Sequence, residues 1–415
     1  MSEHSYAVYV GVDWADAEHQ VMAVDAQRQP LEEWGVPHSG EGLTEFTARL
    51  TRLAGGDPGR VAVALELPRG AIVDALLDRG CHVFALNPKQ LDRFRDRFTA
   101  AGAKDDRRDA RVLADSLVTD RAAFHRVAAE DPLIIQLREL SRVDAELQQE
   151  ARRVTNRLRA QLHRYYVQPL AVCPAADEPW LWALLELAPT PGAAAHLREA
   201  QLARLLREHR IRRLAAAQLL AHLRRPPLPA APGVVEAASS HVALLVPRLR
   251  LLHEQRQQCG RRLDHLLQQL GAPGEPGQPE HRDVTLLRSL PGVGRQVAAT
   301  MLAEASQPLA ARDYHVLRTW SGLAPVTIQS GSRRRVEMRH ACNRRLRQAV
   351  YHWARVSMQV DAPSRAHYAA LRGRGHTHGR ALRGVADRLL RVLIAMLRTG
   401  TLYDAGQRHA QHLAA

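Results

Sequence analysis

The sequence predicts an α/β layer with a mixed sheet, followed by a long helical region and a basic, mostly helical C-terminal domain. Strand-like runs rich in Val and Ala alternate with helical patterns near the start, which is typical of a sheet covered by helices. The run 61–67 is almost continuously apolar, as expected of a strand covered on both faces. Residues 14–36 suggest a hairpin beside the first strand. The predicted strands are 6–13, 61–67 and 82–88, and the predicted helices are 69–79, 88–98 and 106–119.

Residues 131–270 are predicted to be helical because leucines recur at three- and four-residue steps. One series runs from Leu133 to Leu158 and a second from Leu245 to Leu270, with Arg256 at a missing step of the second. Both series keep a heptad register. They suit an antiparallel coiled-coil hairpin, a dimer seam or two core helices of a bundle, and the pattern alone does not choose between these.

The C-terminal domain is predicted to contain a helix, a tight turn and a helix over 286–305, and two short strands within 320–338 around a Ser-Gly turn. Helices with arginine-rich polar faces follow at 343–360 and 379–400. Within the helical region, a Pro-rich break lies at 224–233, and residues 272–279 are predicted to be a linker to the C-terminal domain. The predicted domains are 1–125, 126–280 and 281–405, with a tail at 406–415.

Charge gives the first indication of a partner. Lys and Arg together number 58 against 43 Asp and Glu, a net charge of +15, and a protein with such an excess usually binds a polyanion. Nucleic acid is the leading partner and an anionic membrane surface the second. The sequence contains neither an apolar run of about 18 residues nor a signal peptide, so we expect a cytoplasmic protein that does not enter a membrane. The four cysteines are isolated, which predicts neither disulfides nor a zinc site.

Four acidic residues form a candidate metal site. Asp13 and Glu66 end two predicted strands, where ligands of α/β sheets gather. Asp106 and Asp109 stand three apart at a helix start and so share a face. Carboxylates in such an arrangement suit Mg²⁺ and phosphodiester chemistry. The alternative for each strand-end acid is a turn residue, and for the helical pair it is capping, with Asp106 as the N-cap. An actin-like or sugar-kinase ATPase is disfavoured because the glycine-rich phosphate loops of those enzymes have no counterpart.

The C-terminal domain offers further candidates. Gly292 and Gly294 in LPGVG allow a tight bend that presents helix N–H groups to a phosphate, in the manner of a helix-hairpin-helix motif. Ser330 and Ser332 flank a glycine and precede three arginines, so either serine is a possible nucleophile beside phosphate-binding groups. The alternative is a plain hairpin turn. His340 is a possible base without further support.

Six motifs occur in an order that resembles one known family. They are VGVDWA, ALELP, KDDRRDA, LPGVG, GLAPVTIQSG and NRRLRQAVY. The chain resembles insertion-sequence transposases of the one-ten family, the DEDD recombinases associated with a bridge RNA, over about 1–125 and 281–405. The resemblance implies an RNase H/RuvC-like domain, a coiled coil and a transposase domain with a nucleophilic serine.

The resemblance assigns roles to particular residues. The four acids fall on Asp13, Glu66, Asp106 and Asp109 as catalytic metal ligands for Mg²⁺ or Mn²⁺, with Asp105 an alternative to Asp106. The nucleophile falls on Ser330, with Ser332 as the fallback. The implied partners are target and donor DNA, a guide RNA and further copies of the chain in a homodimer or homotetramer. The expected nucleic-acid-binding residues are Lys104, Arg107, Gly292, Gly294, Arg333, Arg334, Asn343, Arg344 and Arg345.

The implied reaction is strand cleavage and exchange at paired DNA sites, with sequence reading delegated to RNA and backbone contacts left to arginine. Two alternatives remain open at this stage. One is a RuvC-like nuclease that cuts with metal-activated water, in which Ser330 is only structural. The other is a non-enzymatic scaffold that binds RNA or DNA.

Overall fold

The chain divides into two compact units, residues 1–130 and 131–415. The structure, a computed structural model, describes residues 6–66, 69–86, 88–96, 105–127, 131–272, 282–331 and 333–404. Within these ranges, no helix is long and apolar enough to cross a membrane.

The N-terminal unit contains a six-stranded mixed sheet with the order β3-β2-β1-β4-β5-β6. Strands β1, β4 and β5 are parallel, and β2, β3 and β6 are antiparallel to their neighbours. The strands are β1 (Val8–Asp13), β2 (Glu18–Val24), β3 (Pro30–Pro37), β4 (Val61–Leu65), β5 (His82–Ala85) and β6 (His125–Val127). The helices are α1 (Gly40–Leu53), α2 (Ala71–Arg79), α3 (Pro88–Arg95) and α4 (Asp106–Thr119), with short 3-10 turns at Pro58–Arg60 and Arg121–Ala123.

Helices cover both faces of this sheet. Alternate residues of β1 and β4, such as Val10 and Val63, pack with α1 and α2 on one face. The intervening residues, such as Tyr9 and Ala62, pack with α3 and α4 on the other. The predicted α/β layer and mixed sheet are therefore confirmed, and the hairpin predicted within 14–36 is β2–β3. Helix α1 is a further element that the sequence pattern does not predict.

The second unit is mostly helical. Its long helices are α5 (Pro132–Tyr165) and α11 (Pro232–Leu270). Between them lie α6 (Gln168–Val172), α7 (Pro179–Leu187), α8 (Pro191–Ala195), α9 (Glu199–Glu208) and α10 (Ala216–Leu223). After them follow α12 (Asp283–Ser289), α13 (Arg295–Glu304), α14 (Ser306–Ala310), α15 (Tyr314–Trp320), β7 (Val326–Ser330), β8 (Arg333–Glu337), α16 (Arg344–Val360), α17 (Ala362–Gly373) and α18 (His378–Thr399).

Helices α5 and α11 pack against each other in antiparallel orientation. Contacts between them join Leu140 to Cys259 and Glu150 to Arg248, so the residue numbers rise on one helix as they fall on the other. One end of the pair packs with α6, α7, α9 and α10. The other end belongs to the core formed by α12, α13, α16 and α18. The helical region and the C-terminal region therefore share one compact unit.

Asp144 and Arg256 explain the missing leucines in the two heptad series. Each occupies a step where the series lacks an apolar residue, and Arg256 Nε lies 3.7 Å from a carboxylate oxygen of Asp144. The Asp144 carboxylate is buried and also accepts a hydrogen bond from Gln296 on α13. A polar pair within an apolar seam fixes the register of two helices, since any shift would leave a buried charge unpaired.

Candidate functional site: an acidic pocket and an arginine-rich hairpin

The strand-end acids Asp13 and Glu66 lie next to each other along the sheet. Val12 of β1 pairs with Leu65 of β4 in parallel register, and the two acids are the next residues on each strand. Alternation along a strand places Asp13 on the same face as Tyr9, and Glu66 on the same face as Ala62. Tyr9 and Ala62 pack on the α4 side of the sheet. Both acids are half-buried and belong to the face that α4 covers.

Helix α4 brings Asp109 to the same face because it packs very closely on β1. A Cβ added to Gly11 would lie 1.9 Å from the carbonyl oxygen of Ala110, so the helix backbone touches the strand. Asp109, one residue earlier, is 1% exposed. Asp106 lies at the first position of the helix and is exposed.

The N-cap of α4 is Asp105, not Asp106. The Asp105 side chain accepts a hydrogen bond from the backbone N–H of Arg107 at 3.2 Å. The capping alternative that assigned Asp106 to this position is therefore wrong. Because the Asp105 side chain caps the helix, Asp106 and Asp109, three residues apart, are the two candidate metal ligands on α4.

The Asp109 carboxylate is held by Arg95 from α3. Arg95 Nε and Nη2 donate to the two carboxylate oxygens at 2.5 and 2.6 Å, and Nη1 donates to Asp92 at 2.6 Å. Hydrogen bonding to Asp109, together with the charges of Asp109, Asp92 and Glu66, raises the pKa of Arg95 despite the opposing effect of burial. Arg95 was not among the residues predicted from the sequence, since an arginine three residues after an aspartate is common on helices.

The oxygen atoms of these carboxylates are suitable ligands for a divalent cation, but the spacing between them is less suitable. Asp13, Glu66 and Asp109 offer only oxygen, the donor that Mg²⁺ and Mn²⁺ prefer, and the buried Asp109 already pairs with a cation. Their ligand atoms are not gathered within 4.8 Å of one another in the described part of the chain. The acidic pocket denotes Asp13, Glu66, Asp106 and Asp109, the residues that would hold such an ion.

A different group in the described ranges does meet that spacing, namely Cys173, Asp177 and Glu178. Its contacts indicate a structural role. Glu178 accepts a hydrogen bond from Arg213 at 2.5 Å and another from Trp180 at 3.0 Å. Burial, with the charge of Glu178, raises the pKa of Cys173 to about 11.

A histidine pair that the sequence pattern does not predict lies beside the turn after Asp13, on the face of the sheet opposite the acids. His19 is fully buried on β2, and its Nε2 lies 2.9 Å from Nδ1 of His38. The backbone N–H of Ala15, two residues after Asp13, donates to His19 Nδ1 at 3.2 Å. Burial lowers the pKa of His19, and the charge of His38 lowers it further. The pair therefore fixes the turn that follows Asp13.

In the second unit, β7 and β8 form an exposed hairpin that carries Ser330. Ser330 pairs with Arg333 across the turn, and Gly331 has a φ of +56°, the left-handed conformation that a tight turn requires. Ser330, Arg333 and Arg334 are all exposed. The two strands predicted around the Ser-Gly turn are confirmed. Ser332, the fallback nucleophile, lies outside the described residues, as does Lys104.

Two cavities of about 380 and 330 Å³ adjoin this hairpin. Both are lined by Met338, which follows β8, and by Arg383 of α18. Arg380 lines the larger cavity and Arg355 the smaller one. An exposed hairpin beside arginine-lined cavities suits a phosphate backbone.

The tight turn of LPGVG packs on α16. Gly292 has a φ of +81°, and a Cβ there would lie 2.8 Å from the backbone nitrogen of Ser357. The Pro291 carbonyl accepts hydrogen bonds from Trp353 and Ser357 at 2.9 and 2.7 Å. The predicted helix, turn and helix are present as α12 and α13, and Gly294 is the exposed N-cap of α13. Gly292 therefore has a packing role, and contact of this turn with DNA stays a prediction.

The other predicted nucleic-acid-binding residues differ in how they are engaged. Arg107 is exposed and lies 3.3 Å from Glu33. Asn343 caps α16 and donates to the buried carboxylate of Glu304 at 2.8 Å, and Arg345 donates to the same carboxylate at 3.0 Å. Arg344, between them, is exposed. Arg344 is thus the member of this run whose side chain faces solvent.

Comparison with known proteins identifies the family. Residues 10–167 match a family model for the DEDD transposases of IS110, and residues 284–369 match a model described as "Transposase IS116/IS110/IS902 family". The chain is 31% identical over 422 aligned positions, covering all of both chains, to the protein named "Mini-circle putative transposase for IS117" of Streptomyces coelicolor. The chain belongs to the IS110 family of transposases.

Other relatives agree with this assignment. "Putative transposase y4uE" of Sinorhizobium fredii is 47% identical over 209 residues, which are 50% of this chain and 58% of that protein. The IS900 insertion-element protein of Mycobacterium paratuberculosis is 28% identical over 95% of this chain and 97% of its own. This IS110-family member is therefore a DNA transposase of an insertion sequence, and the DEDD family suggests dependence on a divalent metal ion.

Proposed function

We propose that this transposase cuts and rejoins DNA through two groups of residues: the acids Asp13, Glu66, Asp106 and Asp109, and the serine Ser330. The N-terminal unit is proposed to be an RNase H/RuvC-like domain. The observation that carries the proposal is the parallel pairing of β1 and β4, which sets Asp13 beside Glu66 on the face where α4 holds Asp109. The natural ion for such a ligand set is Mg²⁺ or Mn²⁺, which supplies stabilisation of charge on the phosphate.

In the proposed reaction the Ser330 oxygen attacks the scissile phosphorus. A new oxygen–phosphorus bond forms and the bond to the leaving strand breaks, which releases a strand-end hydroxyl. The serine proton passes to water, since the hydroxyl is exposed, and the leaving oxygen takes up a proton. Attack of a strand-end hydroxyl on the phosphoserine reverses the chemistry and joins a new pair of strands. Arg333, directly across the turn from Ser330, would hold the phosphate.

The nucleic acid partners follow from this chemistry and from charge. The net charge is +15, and the positive side chains are almost all arginine. Contact with phosphate backbones is also favoured by the exposed Arg333, Arg334 and Arg344. We propose that target and donor DNA bind this surface and that a guide RNA supplies the sequence reading. Subunits are proposed to associate as dimers or tetramers.

Trapping of a covalent intermediate tests the serine mechanism. The purified protein is incubated with its own element-end DNA, RNA transcribed from the element and Mg²⁺, and then denatured in SDS. We expect a covalent DNA adduct with the wild type and none with Ser330→Ala. Thr327→Ala, an exposed hydroxyl on the same hairpin, is the matched control and should form the adduct.

Other outcomes of that experiment contradict the proposal. Uncoupled 5′-phosphate ends from the wild type, with Ser330→Ala still active, would indicate a nuclease that uses activated water. Loss of the adduct in Ser332→Ala alone would assign the nucleophile to Ser332. Asp13→Asn and Glu66→Gln should each abolish cleavage with folding preserved, and full activity in both would remove the acidic pocket from the chemistry.

A further inference from the structure

We propose that Arg95 is a built-in counter-cation of the acidic pocket, which occupies the Asp109 carboxylate and competes with the divalent ion for it. The inference depends on the proposed metal-binding function and adds a residue that controls it.

The geometry at Asp109 leaves little room for two cations. Its carboxylate is buried, and Arg95 uses two parallel hydrogen bonds of 2.5 and 2.6 Å to take both oxygens. Two such bonds from one planar guanidinium are the strongest form of this contact. An ion coordinated by either oxygen would therefore lie close to the guanidinium, and the repulsion between the two cations would weaken these bonds.

The position of Arg95 also fits that role. The charge of Glu66 acts on Arg95 as well as those of Asp109 and Asp92, so the guanidinium lies within the field of the same carboxylates that are proposed to bind the ion. Asp92 is on α3 itself, and its side chain is 66% exposed. A displaced Arg95 would therefore keep a partner, which lowers the free energy needed to release Asp109.

The competing interpretation is an ordinary structural ion pair that holds α3 against α4. An ordinary pair would stay closed when the ion binds, and its removal would weaken the pocket and the affinity for the ion. If Arg95 competes with the ion, its removal should instead increase the affinity for the ion, because the Asp109 oxygens lose their bound guanidinium. The two interpretations therefore predict changes in affinity of opposite sign.

The two interpretations can be separated by measuring Mn²⁺ binding to the full-length protein. Electron paramagnetic resonance measures this binding without DNA or RNA. We expect Arg95→Gln to bind Mn²⁺ at least about ten-fold more tightly than the wild type, within the usual range for coupling between two bound groups. Arg93→Gln, an exposed arginine on the same helix, is the matched control and should bind as the wild type does. Arg95→Lys keeps the positive charge but cannot form two parallel hydrogen bonds. Its affinity for Mn²⁺ should lie between those of the wild type and Arg95→Gln.

Thermal unfolding provides a second readout. In EDTA, Arg95→Gln should melt at a lower temperature than the wild type because Asp109 loses its partner for a buried charge. Mn²⁺ should then raise the melting temperature of Arg95→Gln by more than that of the wild type, as tighter binding to the folded state requires. If Arg95→Gln does not fold, Arg95→Lys decides the question by the same measurements.

The possible failures are distinguishable. Mn²⁺ binding that depends on Asp109 but is equal or weaker in Arg95→Gln would overturn the inference and leave the proposed metal site intact. Binding that is absent in every variant, or unchanged in Asp13→Asn and Asp109→Asn, would overturn the metal site and the inference with it.

Discussion

Gly11 of β1 and Ala110 of α4 are in direct backbone contact, and this contact sets how far Asp109 reaches into the acidic pocket. A Cβ on Gly11 would lie 1.9 Å from the Ala110 carbonyl oxygen and 2.6 Å from the Ala114 nitrogen. No side chain can relieve such a clash, since both neighbours are backbone atoms of the helix. Glycine at position 11 is therefore a requirement for the close packing of α4.

We expect Gly11→Ala to destabilise the N-terminal unit by about 1–3 kcal/mol, the usual effect of overpacking, and to weaken Mn²⁺ binding because α4 must move away from β1. Urea unfolding and Mn²⁺ titration measure the two effects. Gly40→Ala is the control, since a Cβ there meets nothing within 4 Å. Wild-type stability of Gly11→Ala would mean that α4 does not pack on β1 in this way.

Asp144 and Arg256 should behave as a coupled pair. Removal of either charge leaves the other without its partner, and Asp144 is buried, so Asp144→Leu and Arg256→Leu should each destabilise the protein. The double variant should be more stable than the sum of the two changes predicts, with a coupling energy of about 1–3 kcal/mol. Denaturant unfolding of the four proteins gives this value, and additive effects would exclude an interaction between the two side chains.

Glu304 should make the stability of the second unit sensitive to acid. Burial alone would raise the pKa of Glu304, but hydrogen bonds from Asn343 and Arg142 and the charges of Arg142 and Arg345 hold it below its usual range. A carboxyl with a depressed pKa in the folded state stabilises it at neutral pH, and this contribution is lost as the pH falls from about 4.5 through the folded-state value.

Glu304→Gln should therefore lower the free energy of unfolding by about 3–5 kcal/mol at pH 7, because two arginines lose a buried partner. The difference from the wild type should shrink steadily below about pH 4.5. Glu139→Gln, which removes the exposed partner of Arg142, is the control and should have little effect. A difference that is constant with pH would show that the Glu304 charge does not stabilise the fold.

Much of the architecture could be predicted from the sequence because it depends on local patterns. Helix α4 begins and ends where the pattern predicts, at Asp106 and Thr119, and β7 and β8 flank the predicted turn. Strands β1 and β4 were predicted with small errors at their ends. Their pairing, which sets Asp13 beside Glu66, follows from sheet topology and could only be hypothesised.

The partners of charged residues could not be predicted, because they depend on contacts between distant segments. Arg95 is separated from Asp109 by 14 residues, and Arg345 from Ser141 by 204. Arg344 and Arg345 look equivalent in the sequence, yet the helix rotates one outward and the other toward α5 and α13. Residue type alone predicts that both arginines bind nucleic acid.

These two neighbours provide a final, matched prediction. Arg345 donates to Glu304 and to the Ser141 hydroxyl at 3.1 Å, so Arg345→Ala should lower the free energy of unfolding by about 1.5–3 kcal/mol. Arg344 is exposed, so Arg344→Ala should change stability by no more than about 0.5 kcal/mol.

If Arg344 contacts a phosphate, its removal should weaken DNA binding for all sequences and reduce the slope of log affinity against log salt by about 1. Unfolding curves and DNA titrations at several salt concentrations measure both effects. Equal loss of stability in the two variants would contradict the different orientations of their side chains.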